Sequence, residues 1–484
     1  MNEDGVIQQT KPSFFSQKKN KYIVGGIIIF LIICAVLVFA FTRQDKVANN
    51  QQNTNQNNNQ NTNDQSAFMP ANTCPDKVIL DNGAKAEYQG KTYLLKGEDI
   101  DWIDKNCDSV TNSNSQNQSF GQQFSGGQCS GTGSVNYTQP ILALNDVGEI
   151  TPLGRMFDSH VTPTDHQYWQ PASRTTNWAA YPVYSPADGY LVGIGRTNPG
   201  KLGTTDITAV IEDLEYRFVI EHSCDFYTIF IHIHNLAPEI ASQFTFSNET
   251  NAPTTQIRIP IKAGQKIGTV GGNYFDVTTV DVTKKLTGFV NPDAYKGEPW
   301  KVYTNDTIAY YTEPLKSQYY AKVSRSVEPV GGKIDYDIDG KLVGNWFRQG
   351  SGGYSSGGGN GRYWDGHLSF AYSANVPNVV MISTGHFLGD VSAQLIVDKN
   401  TPDPATVDVS SGIVKYTLFE YNYIDPRGQS QTPRVAKNLQ LEKKGAAKGT
   451  MLVQVLDNKT IKVEVIAGIS SRMTFSEKAE MYER

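Results

Sequence analysis

The sequence predicts a mainly β protein carried on one N-terminal transmembrane helix, with two β domains beyond it. Three observations point there. The 484-residue chain holds 43 Gly and 25 Tyr among many Asn, Ser and Thr residues, a composition of strands and turns rather than helix bundles. From about residue 136 onward, apolar residues alternate with polar ones or form short continuous runs. Finally, the 20 residues from Tyr22 to Phe41, YIVGGIIIFLIICAVLVFAF, carry no charge. The net charge is −5, from 43 basic and 48 acidic residues. It offers no basic excess for a phosphate backbone, so nucleic-acid binding is not expected.

Residues 1–21 read as a cytoplasmic tail, because Lys18, Lys19 and Lys21 stand just before the apolar run. Residues 22–42 form the anchor, which makes the lipid bilayer a partner and leaves the bulk of the chain extracytoplasmic. A cleavable signal peptide is the alternative, with Val38 and Ala40 as its small-residue pattern; the long polar lead and long run favour the uncleaved anchor. Residues 43–66 include KVANNQQNTNQNNNQNTNDQ, which cannot bury enough apolar surface to offset the entropy of ordering it. This is a disordered stalk.

Residues 67–135 form a small Cys-containing segment followed by a Ser/Asn/Gly linker. Within it, KAEYQGKTYLL reads as a strand pair turning at Gln89-Gly90. Outside the anchor stand Cys74, Cys107, Cys129 and Cys224. An even count in an oxidising compartment implies one or two disulfides, with the pairing open.

Residues 136–295 are densely β, with runs such as PVYSPADGYLVGIG, FVIEH and YTIFIHIH. Residues 300–484 form a second, β-sandwich-like domain. There KIDYDIDGKLVGNWF and TMLVQVLDNKTIKVEVI each read as a hairpin, turning at Asp339-Gly340 and Asp457-Asn458. Asp335, Asp337, Asp339 and Gly340 imitate the start of a calcium loop. Its twelfth position is Trp346 rather than Glu, so the hairpin is the preferred reading. The glycine-rich stretch 350–361 lacks the Lys-Ser/Thr of a phosphate loop and reads as a connection. Around it, Trp346, Trp364 and His367 either fill the core of facing strands or form a stacking platform for a sugar.

Five of the seven histidines fall between positions 160 and 234: His160, His166, His222, His232 and His234. Strand alternation sends His232 and His234 to one face together with Phe230. Clustered imidazoles beside Asp165 suggest zinc, with His160, Asp165, His166 and His234 as candidate ligands and His232 as candidate catalytic imidazole.

Three blocks carry a resemblance: PVYSPADGYLVGI (182–194), VIEHSCDFYTIFIH (219–232) and KAGQKIGTVG (262–271). In this order they resemble the core of lysostaphin-type (LytM-like) zinc endopeptidases, a β fold with a duplicated hybrid motif. The resemblance implies a His and an Asp ligand from a His-x-x-x-Asp motif and a third ligand from a His-x-His strand after a Gly-Gly hairpin. His160 and Asp165 are the nearest match, with four residues between them. After Gly271-Gly272 the chain reads NYFDVTTVDV, without histidine; His234 is the substitute on hand. The sequence therefore points to a degenerate peptidase-like domain that binds a cell-wall glycan or peptide, or an envelope protein, without hydrolysis. Two alternatives stand beside it: a zinc endopeptidase with an altered ligand set, and a structural surface or assembly component.

Overall fold

The computed structural model describes residues 73–75, 77–79, 85–89, 91–94 and 128–484, the last apart from 174, 176, 178, 199–214, 244–256, 272–274, 355–362, 390 and 432–436. The expected tail, anchor (22–42) and stalk, and most of the linker, lie outside the described residues. Among the described residues no helix is long and apolar enough to cross a membrane. All of them belong to one compact unit, Phe68–Arg484.

The small N-terminal sheet joins β1 (Lys77–Ile79), β2 (Lys85–Tyr88) and β3 (Lys91–Leu94), all antiparallel. The turn between β2 and β3 falls at Gln89, as expected, with φ +50°.

The first large sheet uses β4 (Val147–Thr151), β5 (Gln167–Pro171), β7 (Gly189–Asn198), β8 (Glu215–Ser223), β9 (Phe226–Ile233), β10 (Ile259–Ile261), β12 (Asp276–Asp281) and β13 (Thr304–Asn305). Its order is β10-β7-β8-β9-β12-β5-β4, and β13 also pairs with β12. Beside it, β6 (Tyr181–Tyr184) pairs with β11 (Lys266–Val270). Both faces of the large sheet are covered, which explains the continuous apolar runs of β8 and β9. Phe218, Phe226, Phe230 and Trp169 pack on one face. Val192, Val219, Tyr227, Ile229 and Val280 pack on the other, under Trp300 and Tyr303. Gly189 is required where it stands, since a Cβ there would lie 2.4 Å from the Glu221 carbonyl oxygen. A disulfide between Cys129 and Cys224 ties the incoming chain to the β8–β9 turn, and Cys74 is also disulfide-bonded.

The second large sheet runs through β14 (Gly344–Arg348), β15 (His367–Tyr372), β16 (Val380–Thr384), β17 (Ala393–Val397), β18 (Val414–Ile424), β19 (Ser430–Gln431), β20 (Gln440–Asp457), β21 (Thr460–Ala467) and β22 (Glu480–Glu483). Its order is β17-β16-β15-β14-β22-β21-β20-β18-β19, and β17 also pairs with β18. That extra pairing closes eight strands into an antiparallel barrel, whereas the sequence suggested two facing sheets. Closure is the more complete solution to exposed strand edges. The lumen is filled by Trp346, Leu368, Phe370, Ile382, Tyr416, Met451, Val453 and Ile461.

The hairpin expected over 450–466 forms between β20 and β21. The one expected over 333–347 does not, for only Gly344–Arg348 is strand. Instead Asp335 accepts from the Gly288 N–H (2.8 Å), and Asp337 from the N–H groups of Val290 (3.1 Å) and Asn345 (2.9 Å). These oxygens bind backbone amides, so the calcium-loop imitation is local fastening.

The barrel wall carries part of the first region. Met156 packs with Ala371, Met381 and Ile396, and Leu153 joins Phe347, Tyr354 and Ile334 in a shared cluster.

Candidate functional site

Strand register builds the site. In β12, Asp276 pairs with Ile231 of β9 on one side and with Tyr168 of β5 on the other. His232, next to Ile231, and His166, two residues before Tyr168 and on the same side of β5, flank the Asp276 carboxylate. Its Oδ2 lies 3.4 Å from Nε2 of His166 and 3.4 Å from Nε2 of His232. Both separations are long for a hydrogen bond. The other oxygen, Oδ1, is buried without a hydrogen-bond partner, and the residue is only 5% exposed.

A bulge aims His232. Phe218 pairs with Phe230 and Tyr216 with Ile233, so β9 has one residue more than β8 over this span. The extra length falls at Ile231–His232, where His232 takes φ +72°, a conformation disfavoured for any side chain. Simple alternation put Phe230 and His232 on one face. With the bulge, Ile233 instead joins Phe230 in the core, and His232 turns to Glu215 and Asp276.

Carboxylates hold the far nitrogen of each imidazole. His232 Nδ1 lies 2.6 Å from Glu215 Oε2, and His166 Nδ1 lies 3.2 Å from Asp165 Oδ1. Asp165 is fixed in turn by Lys301 Nζ (2.9 Å) and by the Trp300 indole N–H (3.0 Å). His166 Nε2 also meets the Tyr168 hydroxyl at 2.7 Å.

The charges follow from this geometry. Burial works against the charged form of His232, but Asp276 and Glu215 outweigh it and raise its pKa to about 10. Burial would raise the Asp276 carboxyl, yet the imidazoles of His166 and His232 bring it below its ordinary value. Asp165 is held well below the carboxylate range by Lys301 and His166 against the same burial penalty. His160 is lowered to about 3, first by burial and then by the neighbouring His166.

The sequence-predicted residues are thus only partly united. His166 and His232 face one carboxylate. His160 packs edge-on against His166, with ring centroids 5.2 Å apart. Asp165 turns to Lys301 and His166 and acts as a holder of the imidazole. His234 Nε2 lies 3.8 Å from Glu215 Oε1. Among the described residues no group of three or more His, Cys, Asp or Glu side chains is placed to hold a metal ion as it stands.

Sequence reading missed Asp276 and Glu215. The available signal was an acid opening the strand DVTTVD, in the very stretch noted for lacking histidine.

Of the two readings of these aromatic residues, Trp346 and His367 take the core one. Trp346 is fully buried, donating to the Leu342 carbonyl (2.8 Å) under the Arg484 guanidinium. His367 is 1% exposed and bonded to the Tyr354 carbonyl (2.7 Å). Neither offers a face to a sugar. Trp364 is half-buried against Tyr363. No family model, curated protein or solved structure matches this chain.

Proposed function

We propose that the chain is a membrane-anchored envelope protein whose first large sheet carries a zinc-dependent, peptidase-like centre, with His166, His232 and Asp276 shifting to close on the ion when it binds. Asp276 carries the reading. A buried carboxylate with one orphaned oxygen costs several kcal/mol unless a cation or a proton joins it. The two 3.4 Å separations of its other oxygen, Oδ2, suit neighbouring ligands on a tetrahedral ion with bonds of about 2.0–2.2 Å, whose edges are about 3.3–3.6 Å. Asp165 and Glu215 on the two Nδ1 atoms match the carboxylate–histidine–zinc pattern, which orients an imidazole and raises its basicity.

When bound, zinc supplies a Lewis acid and lowers the pKa of a water molecule. The chain's own residues do the positioning. Lys301 and Trp300 fix Asp165, which sets the His166 ring; Glu215 sets His232. At 32% side-chain exposure against 9% and 6%, His232 marks the side open to solvent. The likeness of 182–194, 219–232 and 262–271 to lysostaphin-type endopeptidases supports a wall peptide as substrate. An aspartate here takes the part of the family's histidine ligand.

A second reading, binding without hydrolysis, is favoured by the 2.7 Å contact of Tyr168 with His166 Nε2, which satisfies that donor from within. Elemental analysis of the purified full chain, beside an assay with cross-linked wall peptide, separates the two. The expected result is about one zinc per chain, cleavage that follows zinc content, and loss of both in Asp276→Asn. Absence of zinc from wild type removes the metal centre. Zinc without cleavage, together with retention on wall sacculi, selects the binding reading.

A further inference from the structure

We propose that one mouth of the barrel binds a small amphipathic anion, with its apolar body in the lumen and its charge on Lys478. A cavity of about 450 Å³ opens there, lined by Leu368, Thr384, Met451, Val463, Val465 and Tyr482, with His386, Leu388, Lys478 and Glu480 among its further residues. Register places the inner wall. Leu368 pairs with Thr384, Met451 with Val465, and Val463 with Glu480, so these side chains share the inward face at one end of the ring. An eight-stranded barrel leaves an interior that side chains fill or that one small ligand occupies. The volume falls within the usual range for such sites, about 300–1,000 Å³.

The wall is apolar and the rim is charged. Of the two rim carboxylates, Glu464 is taken by Arg472 and by the Ser476 N–H and hydroxyl (2.7 Å each). Glu480 is taken by Arg348 (3.5 Å) and the Tyr482 hydroxyl (3.3 Å). Among the described lining residues, Lys478 is the charged side chain left without an ion-pair partner. Its ammonium selects an anion over a cation or a neutral molecule.

A separate feature lies on the same rim. Leu388 holds φ +44° and is 48% exposed, so a strained backbone presents a leucine to the cavity opening. An apolar ligand body entering the mouth would cover it.

Full chain in lipid nanodiscs, with empty nanodiscs subtracted, is titrated with 2-naphthoate by calorimetry. The proposal expects saturable binding, weakened at least about tenfold when the carboxylate is replaced by the neutral amide, 2-naphthamide. Lys478→Glu, an exposed substitution, should weaken naphthoate by a similar factor and leave naphthamide unchanged. Val465→Trp should abolish both by filling the lumen, and its melting temperature shows whether the fold survived; Lys478→Glu tests the proposal without it. No saturable binding to wild type, equal binding of naphthoate and naphthamide, tighter binding of a naphthylmethylammonium, or indifference to Lys478→Glu would each overturn it.

Discussion

Polar groups are buried in different ways at the Asp276 end of the first large sheet and at Trp346 and His367 of the barrel. Where the sheet ends, Asp276 keeps an orphaned oxygen, His232 sits between two carboxylates in a disfavoured conformation, and Lys301 and Asp165 form a buried ion pair. In the barrel, Trp346 and His367 are as deeply buried, yet each has a backbone carbonyl as partner and regular strand geometry. The contrast separates residues that the fold accommodates from residues that the fold must be made to hold. At Asp276 and His232 an unsatisfied buried carboxylate oxygen and a disfavoured backbone conformation fall side by side, and that coincidence marks the candidate centre.

The largest expected effect probes the ion pair beneath the site. Lys301→Met leaves Asp165 charged and buried, and should cost about 3–5 kcal/mol in urea unfolding. Adding Asp165→Asn should recover most of the loss. A neutral single variant would mean that the pair is not the support proposed here. Next, Cys224→Ser opens a bridge between residues 95 apart and should cost about 2–5 kcal/mol. The sequence from 300 to 484 contains no cysteine, so hydrogen exchange should quicken in β8 and β9 and stay slow in β14–β22. Equal quickening in both would erase the distinction.

The two regions should also answer pH in opposite directions. Burial lowers His367 to about 4, so below the unfolded value near 6.5 only the unfolded chain takes up that proton. Its contribution therefore falls as pH drops, by about 2 kcal/mol between pH 7.5 and 5, levelling off below 4. His232 is raised to about 10, so its contribution, with chelator present, is complete below 6.5 and is lost as pH climbs through 10. Melting curves of His367→Gln and His232→Gln should flatten the acid and alkaline limbs respectively; one limb shared by both variants would refute the assignment. The smallest effect is expected at Lys262 and Asp188, an exposed pair 3.0 Å apart. Lys262→Ala should leave the melting temperature unchanged within error.

Local signals were legible in the sequence. The strand pair around Gln89 and the β20–β21 hairpin depend on alternation and a short turn, both of which lie within a few residues. The clustering of His166 and His232 was visible, although their shared partner was not. Asp276 meets them only through the pairing of β12 with β9 and β5, and no spacing along the chain encodes that. The bulge at His232 breaks the alternation used to assign its face. Barrel and sandwich share one inward–outward pattern, so the choice between them rests on a single distant pairing. Asp335 and Asp337 look like the outward side of a strand, yet spend their oxygens on amides of 288–290 and 345 that the sequence does not show to be near.

That pairing is narrow. Only Ile396 with Phe419 and Val397 with Leu418 join β17 to β18, whereas β18 and β20 are matched along most of their length. A hoop fastened by two rungs has a built-in place to part. The β14–β22 seam is as short, with Phe347 paired to Glu483 and Arg348 to Tyr482, so breathing at these two seams lets solvent reach the barrel's interior while the long β18–β20 and β20–β21 ladders stay zipped, and deuterium uptake should begin there.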